Sequence, residues 1–353
     1  MTRRLGVRWL AAIGMLASAT VGAFPTVARG ATPTDLWVDQ ATAGRGDGSQ
    51  RAPFRTIGAA IARAAAGTSI HVAAGTYREA LVARADGRAD APIVLAGAPG
   101  AALLGDAEHS NRGLEVRGDH WQIEGFDVSG QDVGVWVQGA TGVVLRNNDI
   151  HDTQGECVRM KYFTTRSVIE RNRIHDCGLE DFEGDGDGKN GEGIYIGTAP
   201  EQLDRNPTAR TDVSARNVVR DNVIVTHGNE CVDIKEGAIR NVVEHNECSG
   251  QRDPDSAGFD ARGGRNVFRF NVSTGNVGAG VRLGGDTPSD GRANDVIGNV
   301  LVDNGGWGIK AMRTPQGTVC GNVISGNADG AINVDEVTNP SCPYALATPG
   351  PRQ

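Results

Sequence analysis

The sequence predicts an all-β solenoid, a right-handed parallel β-helix with an N-terminal capping helix, and three observations predict it. An asparagine recurs after branched apolar residues, in "VVLRNN", "VIERN", "VVRDN", "VVEHN", "VFRFN", "DVIGN" and "TVCGN", which aligns Asn148, Asn172, Asn222, Asn246, Asn271, Asn299 and Asn322. A short strand precedes each of them: "GVWVQG", "CVRMKY", "GIYIGT", "CVDIKE", "GFDARG", "GVRLGG" and "GIKAMR". Glycine is abundant, 50 of 353 residues, and aromatics are only 5%, a balance that suits many tight turns and no helical core. Units without insertions run to about 22 residues. One such unit cannot bury its apolar side chains alone, but stacking units at about 4.8 Å builds a continuous core. The asparagine amides then bond up and down the stack and satisfy backbone groups that a tight bend leaves unpaired.

The elements follow in chain order. Residues 1–31 carry Arg3, Arg4 and Arg8 ahead of an apolar run from Trp9 to about Phe24, then small residues that suit cleavage near Ala28 or Ala31. This is the form of a secretory signal peptide, so a secreted protein is expected. No later run is long and apolar enough to span a bilayer. Losing the leader removes four arginines and no acids, taking the formal charge from −8 to −12. That balance argues against nucleic-acid or anionic-membrane partners; a polyanionic substrate would need local cations or a bound metal. Residues 32–340 are expected to form one domain, most simply a monomer, with 32–80 supplying the cap and first coil. Within that cap, residues 56–66 read as an amphipathic helix and 69–73 as a strand. Residues 341–353, rich in proline and small residues, read as a loose tail pinned by Cys342.

Six cysteines in an exported chain permit three disulfides, and no C-x-x-C pair points to zinc or redox chemistry. Cys157 and Cys231 hold equivalent places two coils apart, about 9.6 Å, beyond the roughly 7 Å that a disulfide spans. They are packing residues or are bonded to others.

Read across coils, the sequence forms columns. Just before the first strand of each coil stand Val133, Glu156, Glu192, Glu230, Ala257, Ala279 and Trp307. Three places on stand Trp136, Arg159, Tyr195, Asp233, Asp260, Arg282 and Lys310; five places on stand Gln138, Lys161, Gly197, Lys235, Arg262, Gly284 and Met312. The charges crowd onto a few adjacent coils of one outward face, where scattered solvated residues would spread over all of them. Stacked like charges at this spacing repel by about several kcal/mol per pair. The column Glu156, Glu192, Glu230 therefore asks for a cation, and calcium, hard and common outside cells, suits it. Insertions fall on the same coils, at 177–191, 199–216 and 250–258, and long loops over a regular scaffold tend to be functional. They would wall a groove whose floor is the charged face.

That floor suits β-elimination on a uronic-acid polysaccharide. A base takes the proton on C5 and the oxygen at C4 leaves, while a metal or arginine stabilises the enediolate. Glu192 and Glu230, with Glu156, would hold calcium. Lys235 would be the base, its pKa lowered beside the cation, and Arg262 the charge stabiliser. Tyr195 or a water would protonate the leaving oxygen. Arg159, Lys161, Asp233, Asp260, Arg282 and Lys310 would line the substrate.

Glu230, five residues before Lys235, and Arg262-Gly263 on the next coil resemble the chondroitinase-B and alginate-lyase family of β-helix lyases. The residues around 190–275 and the entry segment "APFRTIGAAIARAAAGTSIHVAAGTY" carry this resemblance. It implies a calcium ligand at Glu230, a base at Lys235 and charge stabilisation by Arg262. This chain has Glu236 where the family usually has a small polar residue and Gly263 where it has histidine; Gly228 takes the place of a further acidic ligand, leaving Glu192 or Asp233 to supply it. A uronan C5-epimerase, a glycoside hydrolase using Asp233 over Asp260 and a non-catalytic carbohydrate binder are the alternatives.

Other motifs are weaker. "NDIHD" and "NRIHD" place His151-Asp152 one rung from His175-Asp176, where a metal or acid-base pair would fit but repeated turn residues are the simpler account. Asp185 and Asp187 lie in a stretch of calcium-loop composition without EF-hand spacing. Asn271 begins a formal glycosylation triplet but belongs to the inward ladder.

Overall fold

The computed structural model describes residues 34–105, 112–179 and 190–342. The expected leader, the acidic stretch with Asp185 and Asp187, and residues 343–353 of the tail lie outside them. Three parallel sheets of 11, 10 and 10 strands run along the molecule, and each coil gives one strand to each sheet. Apolar residues alternate inward and stack on their like. Ile194, Val232, Phe259, Val281 and Ile309 pair in register, all fully buried.

Each coil turns its corners at a residue in the left-handed region. Arg171, Asp221, His245 and Phe270 have φ between 53° and 57°, and each immediately precedes a ladder asparagine. Non-glycine residues rarely adopt this conformation, so the bend needs compensation. The ladder supplies it. Nδ2 of Asn222 donates to Oδ1 of Asn246 at 2.9 Å and to the carbonyl of Ile169 at 2.9 Å, while its backbone N donates to the same Oδ1 at 3.1 Å. The pattern runs from Asn148 through all seven expected residues and on to Asn339.

Two further ladders stand at the other corners, Asn217–Asn241–Asn266 and Asn276–Asn304–Asn327. The first was legible in the sequence, because an asparagine opens "NVVRDN", "NVVEHN" and "NVFRFN".

The N-terminal helix is shorter than the expected 56–66: it spans Ile57–Ile61, with Thr56 as N-cap and Ile57, Ala60 and Ile61 buried. The Glu79 carboxylate accepts from the first two helical amides at 2.7 and 2.9 Å. Beyond Ala62 the chain turns at once into the strand Thr68–Val72, with Ala65 N donating to Thr68 Oγ1 at 3.0 Å, which leaves no length for further turns.

All six cysteines are paired. Cys157 joins Cys177 and Cys231 joins Cys248, each tying the first strand of a coil to its third, and Cys320–Cys342 pins the chain after the last coil as expected of the tail. Asn271 and Ser273 are buried, which removes the glycosylation triplet from contact with solvent.

Candidate active site

The columns are real neighbours. Trp136 pairs with Arg159, and the register continues through Tyr195, Asp233, Asp260, Arg282 and Lys310. It also sets Glu156, Glu192 and Glu230 on successive rungs, two residues before Val158, Ile194 and Val232.

The floor is not a wet face. Side-chain exposure is 2% for Glu192, 1% for Asp233 and 0% for Asp260, against 12%, 18% and 17% for Arg159, Arg262 and Arg282. Carboxylates lie beneath and guanidinium groups reach outward, so an acidic protein presents cations here. Beneath them, Glu192, Glu230 and Asp233 each bring a carboxylate oxygen within 4.8 Å of the others. Glu192 Oε2, Glu230 Oε2 and Asp233 Oδ1 are buried without a hydrogen-bond partner.

Burial, reinforced by Glu156 and Asp233, pushes Glu192 up to about 7 even against Lys235. Burial and the neighbouring Asp233, Asp260 and Glu192 push Glu230 well above the usual carboxylate range. Asp260 rises to about 6, chiefly from burial, although Arg282 is only 2.9 Å away.

Glu156 departs from the expected metal column. Arg159, three residues on in the strand that follows, takes its carboxylate at 2.7 Å, and Asp233 stands with Glu192 and Glu230 in its place. Lys235 also departs from expectation. Its ammonium pairs with Asp233 and stands 3.8 Å from Glu192. Burial pulls it down, but Asp233, Tyr195 and Glu192 together outweigh that and hold it well above the ordinary lysine value. A lowered Lys235 therefore requires the cage charge to be offset.

Tyr195 is sandwiched between Arg159, 4.3 Å from the ring centre, and Lys235, 4.5 Å from it. Its hydroxyl accepts from Ala199 N at 3.2 Å, and burial raises its pKa, so it keeps its proton. Burial and Arg159 lower Lys161 to about 8; its ammonium lies 5.1 Å from the Trp136 ring, which Arg112 at 3.6 Å and Arg159 at 5.1 Å also approach. Arg262 is held at 2.5 Å by both Glu236 and Asp286. Lys310 instead donates to the carbonyl of Asp255 at 3.0 Å.

The insertions reach the site with residues the columns could not reveal. Gln202, on the short helix Pro200–Arg205, bonds Arg159, and Ser256 bonds Glu230. Asp212 anchors the 199–216 insertion by accepting from Phe163 N at 2.8 Å and from the Thr198 and Ser214 hydroxyls at 2.7 and 2.9 Å. Acidic and hydroxyl residues in a loop give no sequence signal for such partners.

Residues 106–252 match the family described as right handed beta helix region. The fold is a right-handed parallel β-helix, the fold shared with the solved structures below. Residues 42–118 of this β-helix match a family described as protein of unknown function (DUF1565). An alginate lyase from Paenibacillus sp. str. FPU-7 superposes on it with a TM-score of 0.66 at 23% identity, over 79% of this chain and 96% of that one. Pectate lyase Pel9A superposes with a TM-score of 0.61 at 16% identity, over 90% and 82%. No curated protein matches the β-helix in sequence. Among the described residues no helix is long and apolar enough to cross a membrane.

Proposed function

We propose that this chain is a secreted lyase that cleaves a uronic-acid-containing polysaccharide by calcium-assisted β-elimination. The observation that carries the reading is the layering of the floor, an outward row of Arg159, Arg262 and Arg282 over the buried carboxylates Glu192, Glu230 and Asp233. The outer row recognises substrate carboxylates, for which guanidinium geometry is suited. Likeness to an alginate lyase and a pectate lyase supports a scaffold able to host this chemistry, and fold alone does not choose it.

The cage fits a hard cation, because it offers three carboxylates with unpartnered buried oxygens. Glu192, Glu230 and Asp233 would hold calcium, which when bound would offset most of the cage charge and polarise a substrate carboxylate. Lys235, freed from the pull of those carboxylates, takes the C5 proton. The electron pair forms the C4–C5 double bond as the C4–O bond breaks, and the leaving oxygen takes a proton from Tyr195 or water. Glu236 and Asp286 keep the Arg262 guanidinium in place beside Lys235, where it stabilises the developing enediolate.

The test is incubation with a panel of polyuronates, following the ultraviolet absorbance of the new double bond with and without chelator. Lys235→Ala should lose about 10²- to 10⁴-fold in rate, the usual contribution of a general base. Reducing ends without a double bond would replace this reading with hydrolysis by Asp233 and Asp260. A changed uronate ratio without cleavage would replace it with epimerisation.

A further inference from the structure

On a different sheet from the proposed active site, the strands Asp149–His151 and Arg173–His175 are paired in register, with His151 opposite His175. The two rings stack with centroids 4.8 Å apart and planes 1° from parallel. Each Nδ1 is held by the aspartate that follows it: His151 by Asp152 at 2.8 Å, His175 by Asp176 at 2.6 Å. Each Nε2 also faces a carboxylate oxygen, Asp127 Oδ1 at 3.2 Å for His151 and Asp149 Oδ1 at 3.0 Å for His175.

A neutral imidazole has one N–H and one lone pair. Gripped by carboxylates at both nitrogens, each ring calls for a positive charge, which a second ring proton, the Arg173 guanidinium at His175 Nε2 or a metal ion can supply. Tetrahedral ligand atoms about 2.0–2.2 Å from zinc lie roughly 3.3–3.6 Å from one another, so the 3.0 Å between His175 Nε2 and Asp149 Oδ1 needs only a small side-chain shift to admit a metal. The Nδ1 contacts reproduce the carboxylate–histidine arrangement that orients metal-binding imidazoles and fixes Nε2 as the ligand atom. Asp152 and Asp176, with φ of 50° and 52°, form the bend as repeated turn residues should, and the same bend carries their carboxylates back to the rings.

We propose that Asp149, His151 and His175 form a binding site for a borderline divalent metal of the zinc class, clamping two adjacent coils. Ligand atoms of the three lie within 4.8 Å of one another. Two imidazoles and a carboxylate favour zinc, nickel or copper over calcium, which separates this site from the all-oxygen cage. Arg173 is its built-in competitor. Its guanidinium bonds Asp149 Oδ2 at 3.2 Å and also His175 Nε2, and its side chain is 62% exposed, so it can swing out.

The experiment is calorimetric titration of the full chain with Zn²⁺ alone in a calcium-saturated buffer, paired with thermal melting. One Zn²⁺ should bind per chain and raise the melting temperature. The double variant His151→Ala/His175→Ala should lose this binding. Asp152→Asn and Asp176→Asn keep the left-handed bend, which asparagine tolerates, and should each weaken binding about tenfold. Arg173→Ala should tighten it. Absence of saturable Zn²⁺ binding, or binding unchanged in the double histidine variant, would overturn the proposal.

Discussion

Lys235 carries a proton that its surroundings are built to keep. Asp233 is the strongest of the groups holding it, by direct ion pairing, and Tyr195, Glu192 and Glu230 add to it. Removing one negative charge beside an ammonium disfavours its charged form. Asp233→Asn should therefore move the Lys235 titration to lower pH in metal-free protein, read from the lysine ε-carbon by NMR. An unchanged titration would mean that Asp233 does not govern Lys235. The alternation of Asp233 and Lys235 with Val232 and Ile234 was legible in the sequence, because a strand has period two and the apolar positions point inward, while Glu230 precedes the strand and was read from its column. The ion pairs were not: Arg159 takes Glu156, and Asp233 joins the cage, because of which side chains reach one another across a buried floor.

At the scale of the element, the ladder asparagines allow a corner to be turned inside a dry core. Asn246 is 1% exposed, and its Oδ1 accepts from both the backbone and side-chain nitrogens of Asn222 while its Nδ2 donates to the Val219 carbonyl and to Asn271. Asn246→Ala leaves those groups buried and unpaired, at about 1–3 kcal/mol each where water cannot reach them. A loss of about 3 kcal/mol in unfolding free energy is expected from denaturant titration, with an exposed control such as Val323→Ala nearly silent. The ladder was legible because its asparagines recur at the same place in every unit. The short helix Ile57–Ile61 was legible only in part: its apolar spacing marks the buried face, but its end is dictated by the chain's need to enter the next strand.

For the whole molecule, the buried carboxylates couple stability to pH, and the proposed calcium site would couple it to calcium as well. Glu192 and Asp260 have folded values of about 7 and 6, above the unfolded carboxylate range, and Glu230 is also raised. The folded chain thus holds protons that the unfolded chain releases, and stability falls as pH rises from about 4.5 through 7. Lys235, raised as well but from the ordinary lysine value, stays charged in both states across that window. Chelated protein should melt at a lower temperature at pH 8 than at pH 5.5. Calcium, which takes the deprotonated cage, should raise the melting temperature far more at pH 8. Equal calcium shifts at both values would argue that the cage is not the site.

By itself the sequence determined the parallel β-helix, the register of its coils and the columns of charge, because one repeated spacing specifies every rung and any slip would turn apolar residues outward. The tertiary structure alone decided that those charges are buried, which carboxylates converge, and which loop residues seal them. Such pairings depend on the distances between side chains brought together from separate coils and on their loss of water, and neither is written in the spacing of residues along the chain.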